Sequence, residues 1–404
     1  MHNWQEKHRS KVSTPKEAVS NVRSGQRVFI GSGAAEPQLL VKALSDRGPE
    51  LADTQITHIL TLGVAPYADP KLEDGFRHNA LFIGPNVRDA VAEGRADFTP
   101  VFLSEVPRLF RRGKMPIDVA LIQVSPPDEH GYCSYGVSVD VTKAGAESAR
   151  HVIAEVNPNM PRTLGDCFIH VDRIDTLVPS AVPILEVPAG EIDEVAKRIG
   201  QHIADLIQDG STLQLGIGTI PDAVLSCLGD KKDLGIHSEM LSDGVIELVE
   251  SGVINGSRKN IHNGKIVVSF VLGTRRLYDF VDNNPMCEFH PSEFINDPFR
   301  IAQNDRVVAI NSALQVDLTG QVCADSLGTY FYSGIGGQVD FIRGASRSHQ
   351  GRPIIALPST ASGGKVSRIT PTLTPGAGVV TSRGDVHYVV TAYGIADLHG
   401  KTIR

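Results

Sequence analysis

The sequence predicts an α/β protein of two similar open domains, each a mostly parallel sheet with helices on both faces. Three observations carry this. Short, continuously apolar runs alternate with helical patterns, 404 residues exceed one ordinary core, and the chain contains itself twice.

The apolar runs lie at residues 28–30, 59–62, 119–124, 152–156, 267–272, 307–310, 354–357 and 386–391. Strands with one wet face alternate apolar and polar residues; these do not, so both of their faces are covered. The repeat rests on three pairs of segments. Residues 21–33, with Gly25, Gly31 and Gly33, match residues 206–218, with Gly210, Gly216 and Gly218, at one constant offset. An amphipathic helix precedes each copy (15–22 and 192–208), and a helical run opened by proline follows each (37–44 and 221–228). Further on, residues 81–91 match 271–281, and 118–124 match 305–311. The expected division is 1–188 and 189–404, joined near Val187-Pro-Ala-Gly190, with a ligand in the cleft between the domains.

With 41% hydrophobic and 21% charged residues, the composition is that of a globular protein in water. A net charge of −7, spread without blocks, gives no footing for nucleic acid or an anionic membrane. Neither a membrane-length apolar run nor an apolar signal region at the N-terminus is present, so a cytoplasmic location is expected. Cys133, Cys167, Cys227, Cys287 and Cys323 are isolated and odd in number, which suits reduced thiols better than disulfides or a zinc site. No metal is expected.

Chemistry points to residues 234–252. They read as a short buried strand, Glu239 in a loop at its carboxyl end, and a helix with Ser242 as N-cap and Gly252 as left-handed C-cap. Open α/β sheets place their chemistry at that end, where a helix N-terminus holds a carboxylate ionised. Alone, the segment also suits a solvated loop acid or a helper of the cap. Residues 59–63 hold no acid to match Glu239, so the chemistry is expected in the second half.

Three glycine-rich loops accompany it. Gln214-Leu-Gly-Ile-Gly-Thr-Ile220 follows a strand and opens a helix, as an anion-binding loop or a tight turn would; Pro221 at the third glycine position excludes a dinucleotide fingerprint. Ser333-Gly-Ile-Gly-Gly-Gln338 offers amides to an oxyanion, or is a plain loop. Ser359-Thr-Ala-Ser-Gly-Gly-Lys365 fails as a phosphate loop, because Ser359 replaces the first glycine and Val366 the magnesium-binding hydroxyl. Lys365 and Arg368 remain available to ligand phosphates. His130, in the proline-rich turn 125–131, reads as structural. Neither a nucleophile elbow nor a zinc-protease motif occurs.

With Ser125-Pro-Pro-Asp-Glu-His-Gly131, Glu155-Val-Asn-Pro-Asn-Met-Pro161, Gly216-Ile-Gly-Thr-Ile-Pro221, His237-Ser-Glu-Met240, Gly336-Gly-Gln-Val-Asp-Phe341 and Val390-Thr-Ala-Tyr-Gly394 in this order, the chain resembles the acetyl-CoA hydrolase/transferase family. Among its members it is most similar to the bacterial 4-hydroxybutyrate and butyrate:acetate CoA-transferases. The resemblance implies Glu239 as nucleophile, forming a glutamyl-CoA thioester in ping-pong exchange. It implies an oxyanion site from Asn311 and the Gly336 and Gly337 backbone. It also implies substrate contacts from Gln214, Gly216, Ile217, Gly218, Thr219, Ile220, Gln338 and Lys365, the last near the CoA phosphates. Acyl-CoA and short-chain carboxylates are then the partners, CoA is a substrate rather than a cofactor, and a homodimer is expected. Two departures stand out. Relatives carry Glu where this chain has Ala392, and they continue beyond Arg404 into a further helix. Two other readings stay open: acyl-CoA hydrolysis by the same glutamate, and a non-catalytic ligand sensor on the same fold.

Overall fold

Two sheets share one strand order in the computed structural model, which describes residues 4–404. Of the N-terminal segment read above for a signal region, residues 1–3 lie outside the described residues. The first sheet holds β1 (Arg27–Ile30), β2 (Thr54–His58), β3 (Phe76–Ala80), β4 (Ala96–Phe98), β5 (Val119–Val124), β6 (His151–Val156) and β7 (Thr176–Pro179). Its order is β4-β3-β2-β1-β5-β6-β7, parallel throughout. The second holds β8 (Thr212–Gln214), β9 (Gly235–Leu241), β10 (Ile266–Val271), β11 (Cys287–Phe289), β12 (Val307–Ser312), β13 (Arg352–Ala356), β14 (Tyr388–Thr391) and β15 (Gly394–Asp397). Its order is β11-β10-β9-β8-β12-β13-β14-β15, with only β15 antiparallel. Without β15 the two orders are the same. The three repeated segments fall on corresponding strands: β1 with β8, the end of β3 with that of β10, and β5 with β12.

Strands buried on both faces appear where the apolar runs put them; every residue of β5 and β10 is buried. The run at 59–62 is the exception. The strand there is β2, Thr54–His58, a polar stretch that sequence pattern passes over. Two of its buried polar side chains find partners inside the protein, Thr57 Oγ1 donating to Asn79 O at 3.1 Å and His58 Nε2 meeting the Tyr67 hydroxyl at 2.6 Å. Satisfied this way, polar side chains lose most of their burial cost. Ile59 and Leu60 follow the strand and are left for the cleft.

The region around Glu239 also differs from expectation. Glu239 lies within β9 rather than in a loop after it, because β9 stays paired with β10 as far as Leu241↔Val271. The helix that follows is α4 (Gly244–Glu250), after α1 (Gln38–Ser45), α2 (Glu194–Leu206) and α3 (Thr219–Ser226). Its N-cap is Asp243, and Ser242 instead donates to Asp222 at 3.4 Å. Asp243 is drawn across to the β10 side, where it accepts from the Thr274 amide at 2.8 Å. Gly252 ends this region with φ +79°, the left-handed conformation expected of it.

One apolar core runs through both halves, with Phe29, Phe110 and Tyr135 from the first and Leu213, Ile236 and Phe289 from the second. Main-chain bonds weld the halves along it: Val139 N to Ser269 O at 3.1 Å, Val271 N to Val137 O at 2.9 Å and Phe289 N to Leu164 O at 2.7 Å. The five cysteines are free thiols, and among the described residues no helix is long and apolar enough to cross a membrane.

Candidate active site

The carboxyl ends of the two sheets meet at a cavity of about 80 Å³. Gly33, Ile59 and Phe82 line it from the first half; Glu239, Met240 and Gly336 line it from the second. The pairings Val28↔Ile56 and Leu213↔Ile236 put Ile59 in the first sheet where Glu239 stands in the second. Corresponding positions of a duplicated fold thus meet in one cavity, one apolar and one acidic.

Glu239 is exposed to the cavity by a difference in strand length. β8 stops at Gln214 and pairs only with Gly235 and Ile236, leaving one edge of β9 open further on. Glu239 Oε2 accepts a hydrogen bond from Asn296 Nδ2 at 2.9 Å. Asn296 follows α5 (Ser292–Ile295), whose Ile295 carbonyl meets His237 Nε2 at 2.9 Å. Burial keeps His237 neutral, pulling its pKa down to about 3, so Nε2 donates its proton to that carbonyl. His237 and Glu239 share one face of β9. The strand thereby fixes the residue that holds its own carboxylate.

The other wall of the glutamate is α6 (Gln338–Arg347), whose N-cap is Gly337. A Cβ at Gly337 would overlap both Glu239 Oε2 and Asn296 Nδ2, so only glycine fits beside this pair. The positive end of the helix therefore abuts the carboxylate. The helix expected to serve Glu239 from sequence, α4, starts at Asp243 instead.

Burial raises the Glu239 pKa to about 7; the Asn296 bond opposes this and the charge of Asp140 adds to it. Asp340, in the first turn of α6, is also pushed up to about 7, by burial first, with the Ser104 bonds opposing and Glu239 reinforcing. Its oxygens accept from Ser104 N at 3.2 Å and Ser104 Oγ at 2.9 Å. Asp140, raised by burial, accepts from Ser138 Oγ at 3.0 Å and Thr142 N at 2.9 Å. Glu239 and Asp140 thus face one cavity, and Asp340 acts on Glu239 from the first turn of α6 behind it. Asn296→Ala removes the one neutral donor on Glu239. It should move the midpoint of the kcat–pH profile upward by about one unit, since a bond to a charged group contributes roughly 1.5–3 kcal/mol. A profile that stays in place would show that Asn296 does not set the ionisation of Glu239.

The other candidate residues fall into three places. Gly337 abuts Glu239, and Gly336 lines the same cavity. Asn311 and Gln214 come together, Nδ2 of the former donating to Oε1 of the latter at 2.9 Å; Asn311 stands on β12, beyond the pair Gln214↔Ala309 at which β8 ends. Gln338 joins this edge, donating to Ser312 O at 2.7 Å and accepting from Thr381 Oγ1 at 3.0 Å. Gly216, Ile217 and Gly218 form the loop into α3, which Thr219 and Ile220 open. Ile217 and Gly218 line a second recess with Val187–Gly190 and Asp243. Gly218 has φ +108° and caps the helix without a side chain.

Lys365 lies on the exposed tip of a hairpin between Thr360–Ala361 and Val366–Ser367, with Ser362, Gly363 and Gly364 left-handed. That turn has no helix to supply phosphate-binding amides, which agrees with its failed motif. In the 125–131 turn, Asp128 pairs with Arg162 at 2.6 Å and His130 is exposed. One group with metal-ligand spacing occurs among the described residues, His262, Glu288 and His290, at edge strand β11 and outside this cavity. There His262 Nδ1 already meets Glu288 at 2.6 Å.

Three features escaped sequence reading: Asn296, Asp140 and the apolar wall from the first half. Asn296 is 57 residues from Glu239, and its bond depends on how α5 docks on β9, a contact without a local signature.

Residues 1–186 match the acetyl-CoA hydrolase/transferase N-terminal domain, and residues 273–404 match the C-terminal domain. The chain belongs to the acetyl-CoA hydrolase/transferase family. It is 56% identical to the 4-hydroxybutyrate coenzyme A transferase of Clostridium kluyveri, over 99% of this chain and 94% of that protein. It is 50% identical to the succinyl-CoA:acetate/propanoyl-CoA:succinate CoA transferase of Fasciola hepatica, over 97% of this chain and 83% of that one. The crystal structure of 4-hydroxybutyrate CoA-transferase from Porphyromonas gingivalis superposes with a TM-score of 0.85 at 43% identity, covering 100% of this chain and 93% of that chain.

Proposed function

We propose that this family member is a CoA-transferase, moving CoA between a short-chain acyl-CoA and a carboxylate such as acetate, butyrate or 4-hydroxybutyrate. The observation that carries this is the Glu239 carboxyl, dehydrated within β9 yet opening on a cavity lined by both halves.

A carboxylate attacks a thioester poorly in water, and desolvation makes it more reactive. One Glu239 oxygen attacks the acyl carbonyl, the C–S bond breaks, and CoA thiolate leaves behind a mixed anhydride. The thiolate then attacks the glutamyl carbonyl, forming glutamyl-CoA and expelling the first carboxylate. A second carboxylate reverses both steps and departs as the new acyl-CoA. Protons and electrons balance within each half, with CoA as substrate and no further cofactor needed. The amides of Gly336 and Gly337, with Asn311, serve the developing oxyanion, and each such donor is worth roughly 10²–10³ in rate. The Gly216–Ile220 loop, Gln214, Gln338 and Lys365 serve the CoA and the substrate carboxylate. A cytoplasmic location, favoured by the free thiols, and a homodimer, favoured by family resemblance, complete the reading.

Only ionised Glu239 is a nucleophile, so kcat should fall about tenfold per pH unit below pH 7. Transfer and hydrolysis are told apart by the acceptor. CoA release should require acetate and give parallel double-reciprocal lines against acyl-CoA. Release at the same rate without any acid would make the protein a hydrolase.

A further inference from the structure

We infer that the first half of the chain forms an acyl pocket that admits uncharged short aliphatic acyl groups and rejects acyl groups bearing a second carboxylate. This rests on Glu239 being the group that accepts CoA. The cavity facing Glu239 is walled by Ile59, Leu60, Phe82, Val101 and Val106 from the first half and by Phe270 from the second. Among the described residues, none that lines it is Lys, Arg or His. Its only charged side chains are Glu239 and Asp140, both acidic. Ser32, its one hydroxyl, stands beside Thr142, which already donates to Asp140 at 3.0 Å.

An acyl group with its carbonyl at Glu239 extends into this wall. A terminal methyl or methylene gains contact there. A terminal carboxylate loses its water, gains no cation and faces two acids, an uncompensated burial that proteins avoid. Its escape is to enter protonated. With a carboxyl pKa near ~4.3, the neutral form is roughly one part in 10³ at pH 7.5. That fraction sets the discrimination, and it makes the discrimination depend on pH. Apolar wall and acidic floor thus act as one filter, in a family where a relative with half its residues in common is named for succinyl-CoA.

The test compares two four-carbon acyl groups, butyryl-CoA and succinyl-CoA, with acetate as acceptor. At pH 7.5, kcat/KM should favour butyryl-CoA by roughly 10³, and the ratio should shrink about tenfold for each pH unit lowered. Both substrates need the same ionised Glu239, so that requirement cancels in the ratio. Val101→Lys puts a cation into the wall from the loop after β4. It should raise the succinyl to butyryl ratio at least tenfold in protein whose melting temperature shows it folded. Comparable kcat/KM for both substrates, with a CoA adduct on Glu239, overturns the pocket inference and leaves the transferase reading intact. So does an unmoved ratio in folded Val101→Lys. An adduct from neither substrate overturns the reading beneath it.

Discussion

Alanine at Gly337 will lower kcat/KM for acyl-CoA by about 10² or more while leaving the protein folded. The backbone there has φ −95° and ψ 3°, the bridge region that residues other than glycine adopt in type I turns. Added bulk is what matters, because the new Cβ would occupy the space of Glu239 Oε2 and Asn296 Nδ2. Both are ends of side chains, so they move aside and the helix need not. Movement of a nucleophile by about 1 Å is enough to cost on the order of 10² in rate. The check is a pair of measurements on Gly337→Ala: steady-state kinetics and a thermal melt. A normal melt with normal turnover would show that this contact does not place the carboxylate.

Replacing Glu239 by glutamine should abolish transfer and, above pH 7, make the protein more stable. In the folded chain Glu239 keeps its proton up to about pH 7, against 4.5 for the free side chain. Between those values the folded state binds more protons than the unfolded one, so stability falls as pH rises through the window. At about 1.4 kcal/mol per unit, the ionised carboxylate costs the fold on the order of 3 kcal/mol at pH 8. Glutamine has no such titration and can still meet Asn296. Melting curves of Glu239→Gln and the parent should therefore lie well apart at pH 8 and converge near pH 5. Curves that differ equally at both pH values would mean that Glu239 is not held at a cost. An active site that sacrifices stability for reactivity is a common trade.

Much of this was legible before the fold was known, and the reasons are physical. Runs such as 119–124 declare strands because a strand covered on both faces has no polar side to show. The glycines at 25, 31, 33 and at 210, 216, 218 declare the repeat because each copy turns before its first strand, at Gly25 and Gly210, and again after it, at Gly33 and Gly218. Glu239 stands out because it reads as lying at the carboxyl end of a strand, where open sheets do their chemistry. What stayed hidden depends on contacts between distant segments. Thr54–His58 was passed over because its burial relies on Asn79 and Tyr67. Asn296 carries no motif, and the apolar residues after β2 look like strand until Glu239 is seen opposite them. Gly336 and Gly337 are expected from sequence as donors of amides, and the geometry adds a separate reason for Gly337: it has no side chain to collide with the acid.

The most direct measurement is mass spectrometry of the intact chain and its peptides after incubation with acyl-CoA and no acceptor. Transfer through Glu239 predicts a CoA adduct confined to the peptide that contains residues 235–241, absent from Glu239→Gln and discharged on adding acetate. Full turnover with no adduct on that peptide, or an adduct that persists in Glu239→Gln, would contradict it.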